Sequence, residues 1–182
     1  MNYLYLIIGL LVVLFIIICW YISVSNKIIR YSMKVSESLS GIDIALTKRY
    51  DVLTKMIDVV KGYMKHEREI MFKVVELRKN MSMAELKNAN EIMNENFSKI
   101  NVICESYPDL KASDNFKILQ KSVVDVEEHL QAARRLYNSN VSLYNQLICT
   151  FPNKLVANRK NICKKDFFVA ENINRDNVKV DL

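Results

Sequence analysis

Hydrophobic and polar positions follow three successive patterns along the chain. Residues 3–24, YLYLIIGLLVVLFIIICWYISV, carry no charge and almost no polar interruption. As a helix rising 1.5 Å per residue, this run is about 33 Å long, enough to cross a hydrocarbon core of about 30 Å. It exceeds the usual apolar core of a signal peptide, about 7–15 residues, and no Lys or Arg precedes it, so an uncleaved anchor is expected rather than a cleaved leader.

Beyond the run, apolar residues return at steps of three and four, the spacing of one helix face. Leu46, Tyr50, Leu53, Ile57, Val60 and Met64 form one such stripe; Gly62 is a weak point at which the helix is expected to bend or restart. Residues 67–79 continue the pattern with Ile70, Val74 and Leu77, and residues 82–106 place Ala89, Ile92 or Met93, Ile100 and Ile103 on one side. The longest stripe is Phe116, Leu119, Val123, Val126, Leu130, Ala133, Tyr137, Asn140, Tyr144, Leu147 and Phe151. Val141 and Ile148 widen it on one flank and Leu136 and Leu143 on the other, which suits a bundle better than a two-stranded coiled coil. Pro108, with Ser113 or Asp114 as cap, marks the start of this helix, and Phe151-Pro152 marks its end.

After Pro152 the period fades and the chain becomes basic, with Lys154, Arg159, Lys160, Lys164 and Lys165 ahead of Phe167 and Phe168. These residues read as a solvated tail, with the anionic membrane surface as the competing resting place for their charge. The expected division is therefore an anchor at 1–26, a helical bundle at 27–157 and a basic tail at 158–182.

Composition supports helices: 182 residues contain only 3 Gly and 2 Pro, and 51% are hydrophobic. Lys27, Arg30 and Lys34 follow the apolar run, so the positive-inside tendency places a short N-terminus outside and the large C-terminal part in the cytoplasm. The net charge of +6 does not indicate nucleic acid, because acidic residues are interleaved and no aromatic and basic platform appears. Cys19, Cys104, Cys149 and Cys163 form no C-x-x-C pair, so neither zinc nor a disulfide framework is indicated.

Three ordered stretches behind the apolar run, GIDIALTKRYDVLTKMIDVVKGYMKHERE, YPDLKASDNF and AARRLYNSNVSLYNQLICTFPNKLVA, resemble the LemA family of bacterial membrane proteins. The likeness covers about 39–157 and returns at the final KVDL. The resemblance implies an all-α fold, an N-terminal transmembrane helix followed by an antiparallel four-helix bundle with long helices, in a single-pass protein of the bacterial cell membrane. It brings no established reaction, and it suggests membrane proteases, beside self-association, as partners. The chain departs from the family pattern RRYDLIPNLV at Thr54 and Lys55, where Pro and Asn are common. Thr keeps the backbone N–H that Pro lacks, so this helix should run straighter.

Catalytic signatures are incomplete. KHERE begins like H-E-x-x-H, but residue 70 is Ile70, and His66 and His129 are the only histidines. Neither has a Glu three residues earlier, as Tyr63 and Val126 stand there, so no di-iron motif forms. No phosphate-binding glycine loop is present. No catalytic residue, metal or cofactor is assigned.

The candidate interaction positions are Lys48, Arg49, Tyr50 and Asp51 in LTKRYD, and Arg134, Arg135, Tyr137, Asn138, Tyr144 and Asn145 in RRLYNSNVSLYN. Ion pairing between helices is the plainer role for the charged ones. The repeated Tyr-Asn pair keeps the phase of the long stripe, so each hydroxyl is expected to find a partner on an adjacent helix. The functional expectation is a membrane-anchored, non-enzymatic interaction or scaffold protein; the alternative is a ligand-binding or enzymatic module with a site between helices.

Overall fold

The structure is a computed structural model and describes residues 2–64, 72–78 and 81–168. Among these residues the regular elements are helices: α1 (Asn2–Tyr63), α2 (Met83–Ser106), α3 (Pro108–Ala112), α4 (Asp114–Cys149) and α5 (Asn153–Arg159). The protein is an all-α helical bundle with a long apolar N-terminal helix, as the stripes predict.

The apolar run and the first amphipathic stripe are one helix. Up to about residue 18 its large apolar side chains are exposed all round, between 48% for Ile18 and 80% for Tyr3. From Val24 onward burial follows the helical period, with Ile28, Val35, Ile42, Leu46, Leu53, Met56 and Val60 inside. Such a change from uniformly apolar to one-sided is what a helix passing from lipid into a protein core requires. At Thr54 the expected straight course is seen: the Thr54 hydroxyl donates to the Tyr50 carbonyl at 3.0 Å and the helix runs through. Gly62 falls in the last turn, and α1 ends at Tyr63.

Residues 72–78 are not helical, contrary to the stripe read across 67–79. Val74, placed on the core face of that stripe, is 79% exposed, whereas its neighbour Val75 is buried. The reason lies in α2. The fully buried Asn96 accepts from the Lys73 backbone N–H at 3.0 Å and donates to the Lys73 carbonyl at 2.9 Å. Its carboxamide thus satisfies backbone groups that a helix would have used internally. Ile70 and His66 lie outside the described residues.

Ser82 starts α2 with a capping box, accepting from the Glu85 N–H at 3.3 Å while Glu85 accepts from the Ser82 N–H at 2.7 Å. Leu86, Ala89, Met93, Phe97, Ile100 and Ile103 line its buried face. Pro108 opens the short α3, whose Leu110 is fully buried, and Ser113 links it to α4, accepting the first helical bond from Lys117 at 3.1 Å. In α4 the widening occurs on one flank only: Val141 and Ile148 are buried, but Leu136 and Leu143 are exposed. The stripe also ends early, because Phe151 lies beyond the last turn of α4 and is 81% exposed.

A cis Phe151-Pro152 peptide precedes α5. The helix ends in a paired cap: Ile162 donates to the Ala157 carbonyl at 3.0 Å and Asn161 to the Asn158 carbonyl at 3.1 Å. Asn161 takes the left-handed conformation this cap needs, at φ 51°, a conformation Asn tolerates better than most residues. The chain then leaves α5 as the non-helical segment 162–168.

The chain divides into two compact units: Met1–Ile42 with Gln131–Phe167, and Asp43–Leu130 with Phe168–Leu182. In the first unit, Asn140 on α4 donates to the Lys34 carbonyl at 3.3 Å, and Lys160 beyond α5 donates to Ser25 Oγ. As residue numbers rise past α4 the contacts move toward the N-terminus of α1, so α1 and α4 run antiparallel there.

Candidate functional site

Among the described residues, each unit contains an assembly of polar side chains centred on a position in core phase. In the second unit the centre is Arg49, 4% exposed and set in the stripe Ile42, Leu46, Leu53, Met56. Its Nη1 donates to Asn90 Oδ1 at 2.6 Å and its Nη2 to Asn94 Oδ1 at 2.6 Å. Nη2 also pairs with the Glu127 carboxylate. The Phe97 ring lies 5.1 Å from the guanidinium carbon, within cation–π range. Asn90, Asn94 and Phe97 follow one another at helical spacing on α2, so a single ridge supplies three contacts and α4 supplies the counter-charge.

Burial pushes the Arg49 guanidinium below the ordinary arginine value, and Glu127 partly offsets this through its charge and hydrogen bond. The group stays charged at neutral pH. Both terminal nitrogens are occupied, and the buried Nε has no hydrogen bond among the described residues. Such an arrangement locks helices together. A guanidinium poised for a bound anion would instead keep its fork open to solvent.

In the first unit α4 presents Tyr137, Tyr144 and Asn145 to the segment 162–168. Tyr137 donates to the Asp166 carbonyl at 3.0 Å and Tyr144 to the Cys163 carbonyl at 3.4 Å. Asn145 donates to the Lys165 carbonyl and accepts from the Lys165 N–H, both at 2.9 Å. The Lys165 ammonium lies 5.4 Å from the centre of the Tyr144 ring. Every one of these hydrogen bonds goes to main chain, so the clip grips a non-helical backbone whatever its side chains.

Burial raises the affinity of both tyrosine hydroxyls for their protons, helped at Tyr137 by the Asp166 carboxylate and at Tyr144 by Cys163. The tyrosine hydroxyls were expected to meet an adjacent helix; they meet this segment instead. The physical reason is that 162–168 makes no helical bonds of its own and offers free carbonyls. The described part of the basic tail is thus strapped to α4 through Cys163, Lys165 and Asp166. Residues 169–182, KVDL included, lie outside the described residues.

The remaining candidates take other places. Lys48, Asp51 and Arg135 are exposed, and Tyr50 is half-buried beside the stripe in which it was counted. Arg134 is buried and Asn138 half-buried, and both interact with other groups. Asn90, Asn94, Asn96, Phe97 and Glu127 were not anticipated. One signal was available: Ile42, Leu46, Leu53, Met56 and Val60 keep a step of three or four only if Arg49 fills the gap, so a charge sits in the core phase. Among the described residues no group of three or more His, Cys, Asp or Glu is placed to hold a metal ion.

The family model of the LemA family matches residues 38–182. A curated relative, Protein LemA of Metamycoplasma hominis, is 27% identical over 163 residues, covering 87% of this chain and 74% of its own length.

Proposed function

The chain belongs to the LemA family, and we propose that it works as a single-pass, non-enzymatic scaffold of the bacterial envelope, presenting its helical bundle to protein partners. The observation that carries this reading is the continuity of α1. Sixty-two residues run without a break from the exposed apolar run into the buried stripe, so anchor and bundle are joined by helix and not by a flexible linker. Partners bound to the first unit, which contains the apolar run, would be held close to the membrane. Further copies of the chain and membrane proteases are the partner classes we favour. The exposed Lys27 and Arg30 just past the run support a cytoplasmic bundle and an outside N-terminus. We keep the division into anchor 1–26, bundle 27–157 and tail 158–182, with the first part of the tail serving as a strap.

A binding or catalytic module is less well supported. The cleft lined by Val74, Glu76, Arg78, Met81, Glu85, Asn88, Ala89 and Ile92 holds about 230 Å³. Small-molecule pockets usually span about 300–1,000 Å³. Both terminal nitrogens of Arg49, the strongest candidate for an anion ligand, are already taken by Asn90, Asn94 and Glu127.

Crosslinking of the tagged full chain in membranes, followed by mass spectrometry, should return a reproducible set of envelope proteins or specific self-crosslinks. Random neighbours only, together with thermal stabilisation by a metabolite, would reverse the order of the two readings.

A further inference from the structure

The first unit places an unusual corner beside the end of the apolar run. Asn140 meets Lys34, and from there α4 continues nine residues to Cys149 while α1 runs back nine residues to Ser25. Both paths rise about 14 Å in antiparallel helices, which brings the end of α4 level with Ser25. An independent contact agrees: Lys160, just past α5, donates to Ser25 Oγ and sits 5.7 Å from the centre of the Tyr21 ring. Trp20 and Tyr21 are the aromatic residues that close the apolar run, the side chains that favour the headgroup layer of a bilayer. The corner between α4 and α5 therefore lies at headgroup level.

Its surface has matching chemistry. Phe151 is 81% exposed and Leu155 57% exposed, and both project from a corner that also exposes Lys154, Arg159 and Lys164. Within 1–42 and 131–167 the carboxylates are Glu37 and Asp166 alone, against ten Lys and Arg. Large apolar side chains ringed by cations suit an interface that is oily below and anionic above. A protein partner of opposite charge would leave Phe151 and Leu155 without the acyl boundary that this level supplies.

We propose that this corner is a second membrane contact: Phe151 and Leu155 enter the boundary between headgroups and acyl chains, while Lys154, Arg159 and Lys164 pair with the phosphates of anionic phospholipids. The inference rests on the reading of α1 as a membrane anchor. Its consequence is that the first unit is fixed to the bilayer at two points, the span and the corner.

Tryptophan quenching separates the two ideas, because Trp20 is the chain's single tryptophan. The full chain is reconstituted in vesicles of phosphatidylcholine with phosphatidylglycerol, their acyl chains brominated near the headgroup. Wild-type protein reports on the anchor through Trp20, Trp20→Phe/Phe151→Trp on the corner, and Trp20→Phe/Leu143→Trp on an exposed site farther along α4. Quenching at position 151 should exceed that at position 143 by at least about twofold, and should fall by at least about half in pure phosphatidylcholine or after Lys154→Glu/Arg159→Glu/Lys164→Glu. Strong quenching of Trp20 with positions 151 and 143 alike would overturn the corner contact and leave the anchor standing. Quenching at 151 that ignores both lipid charge and the triple substitution would overturn the anionic-lipid assignment. Loss of quenching at Trp20 itself would remove the anchor and the corner together.

Discussion

The two units solve the same problem, a polar side chain in core phase, in opposite ways. In the second unit the polar group is a full charge, and Arg49 needs two amides, a carboxylate and an aromatic face from two other helices. In the first unit the groups are neutral, and Tyr137, Tyr144 and Asn145 are satisfied by the main chain of one non-helical segment. A buried charge loses heavily if any partner is missing, whereas neutral hydrogen bonds are lost one at a time. The Arg49 assembly should therefore behave as a single unit that fixes helix register, and the Tyr-Asn clip as a set of separable fasteners that can release the tail without unfolding the helices.

The largest effect should come from Arg49→Ala, which leaves Glu127, Asn90 and Asn94 without their donor and should cost about 3–5 kcal/mol in denaturant unfolding. Arg49→Met combined with Glu127→Met should recover most of that loss, since the charge and its counter-charge disappear together. If the single and double variants were equally unstable, the cluster would not be acting as a unit.

Within the clip, Asn145→Ala removes two hydrogen bonds and should cost about 1–2 kcal/mol, and Tyr137→Phe and Tyr144→Phe on the order of 1 kcal/mol each, Tyr144 less because its bond is longer. Hydrogen exchange should show these losses at residues 162–168 and leave α4 protected. Simultaneous deprotection of α4 would erase the distinction between the two units.

Alkaline pH offers a graded test. The tyrosine hydroxyls hold their protons more tightly in the folded state, so the folded protein binds more protons than the unfolded chain once pH passes the ordinary tyrosine value of about 10. The contribution is complete below that value and is lost as pH rises through the folded-state value, because a tyrosinate cannot donate to a carbonyl. Tyr137→Phe/Tyr144→Phe should flatten this part of the stability profile, read by chemical unfolding at successive pH values.

The smallest effect should be that of Lys117→Ala. Its pairing with Asp114 at 3.2 Å is exposed and should be worth no more than about 0.5 kcal/mol. Set beside Arg49 and Glu127 in the same unit, it isolates what burial adds to an ion pair.

Much of the fold was legible because helical periodicity is a repeated signal: α2 and α4 were located within a few residues, and the apolar run needs no tertiary context. Residues 72–78 were misread because Ile70, Val74 and Leu77 keep helical spacing, while the decisive partner, Asn96, lies on another element and leaves no mark in local sequence. The sites were less legible for the same reason. Tyr137 and Tyr144 could be placed in core phase, but their acceptors became available only once the chain had left α5 at Asn161. Arg49 stands out in the sequence as part of a motif, while its neighbour Tyr50 is the residue that the stripe places in the core. The Tyr50 ring points to a core position by its apolarity and Arg49 by its phase, and the buried amides and Glu127 that settle the contest for Arg49 come from α2 and α4.

The most direct test of the central claim, an unbroken helix joining membrane and bundle, is residue-resolved hydrogen exchange of the full chain in lipid bilayers across residues 18–42. The expected result is continuous slow exchange, with no gap between the last lipid-facing turns and the first buried turn at Val24 and Ile28. A fast-exchanging window at 24–30, flanked by protected segments, would show a flexible tether there and contradict it.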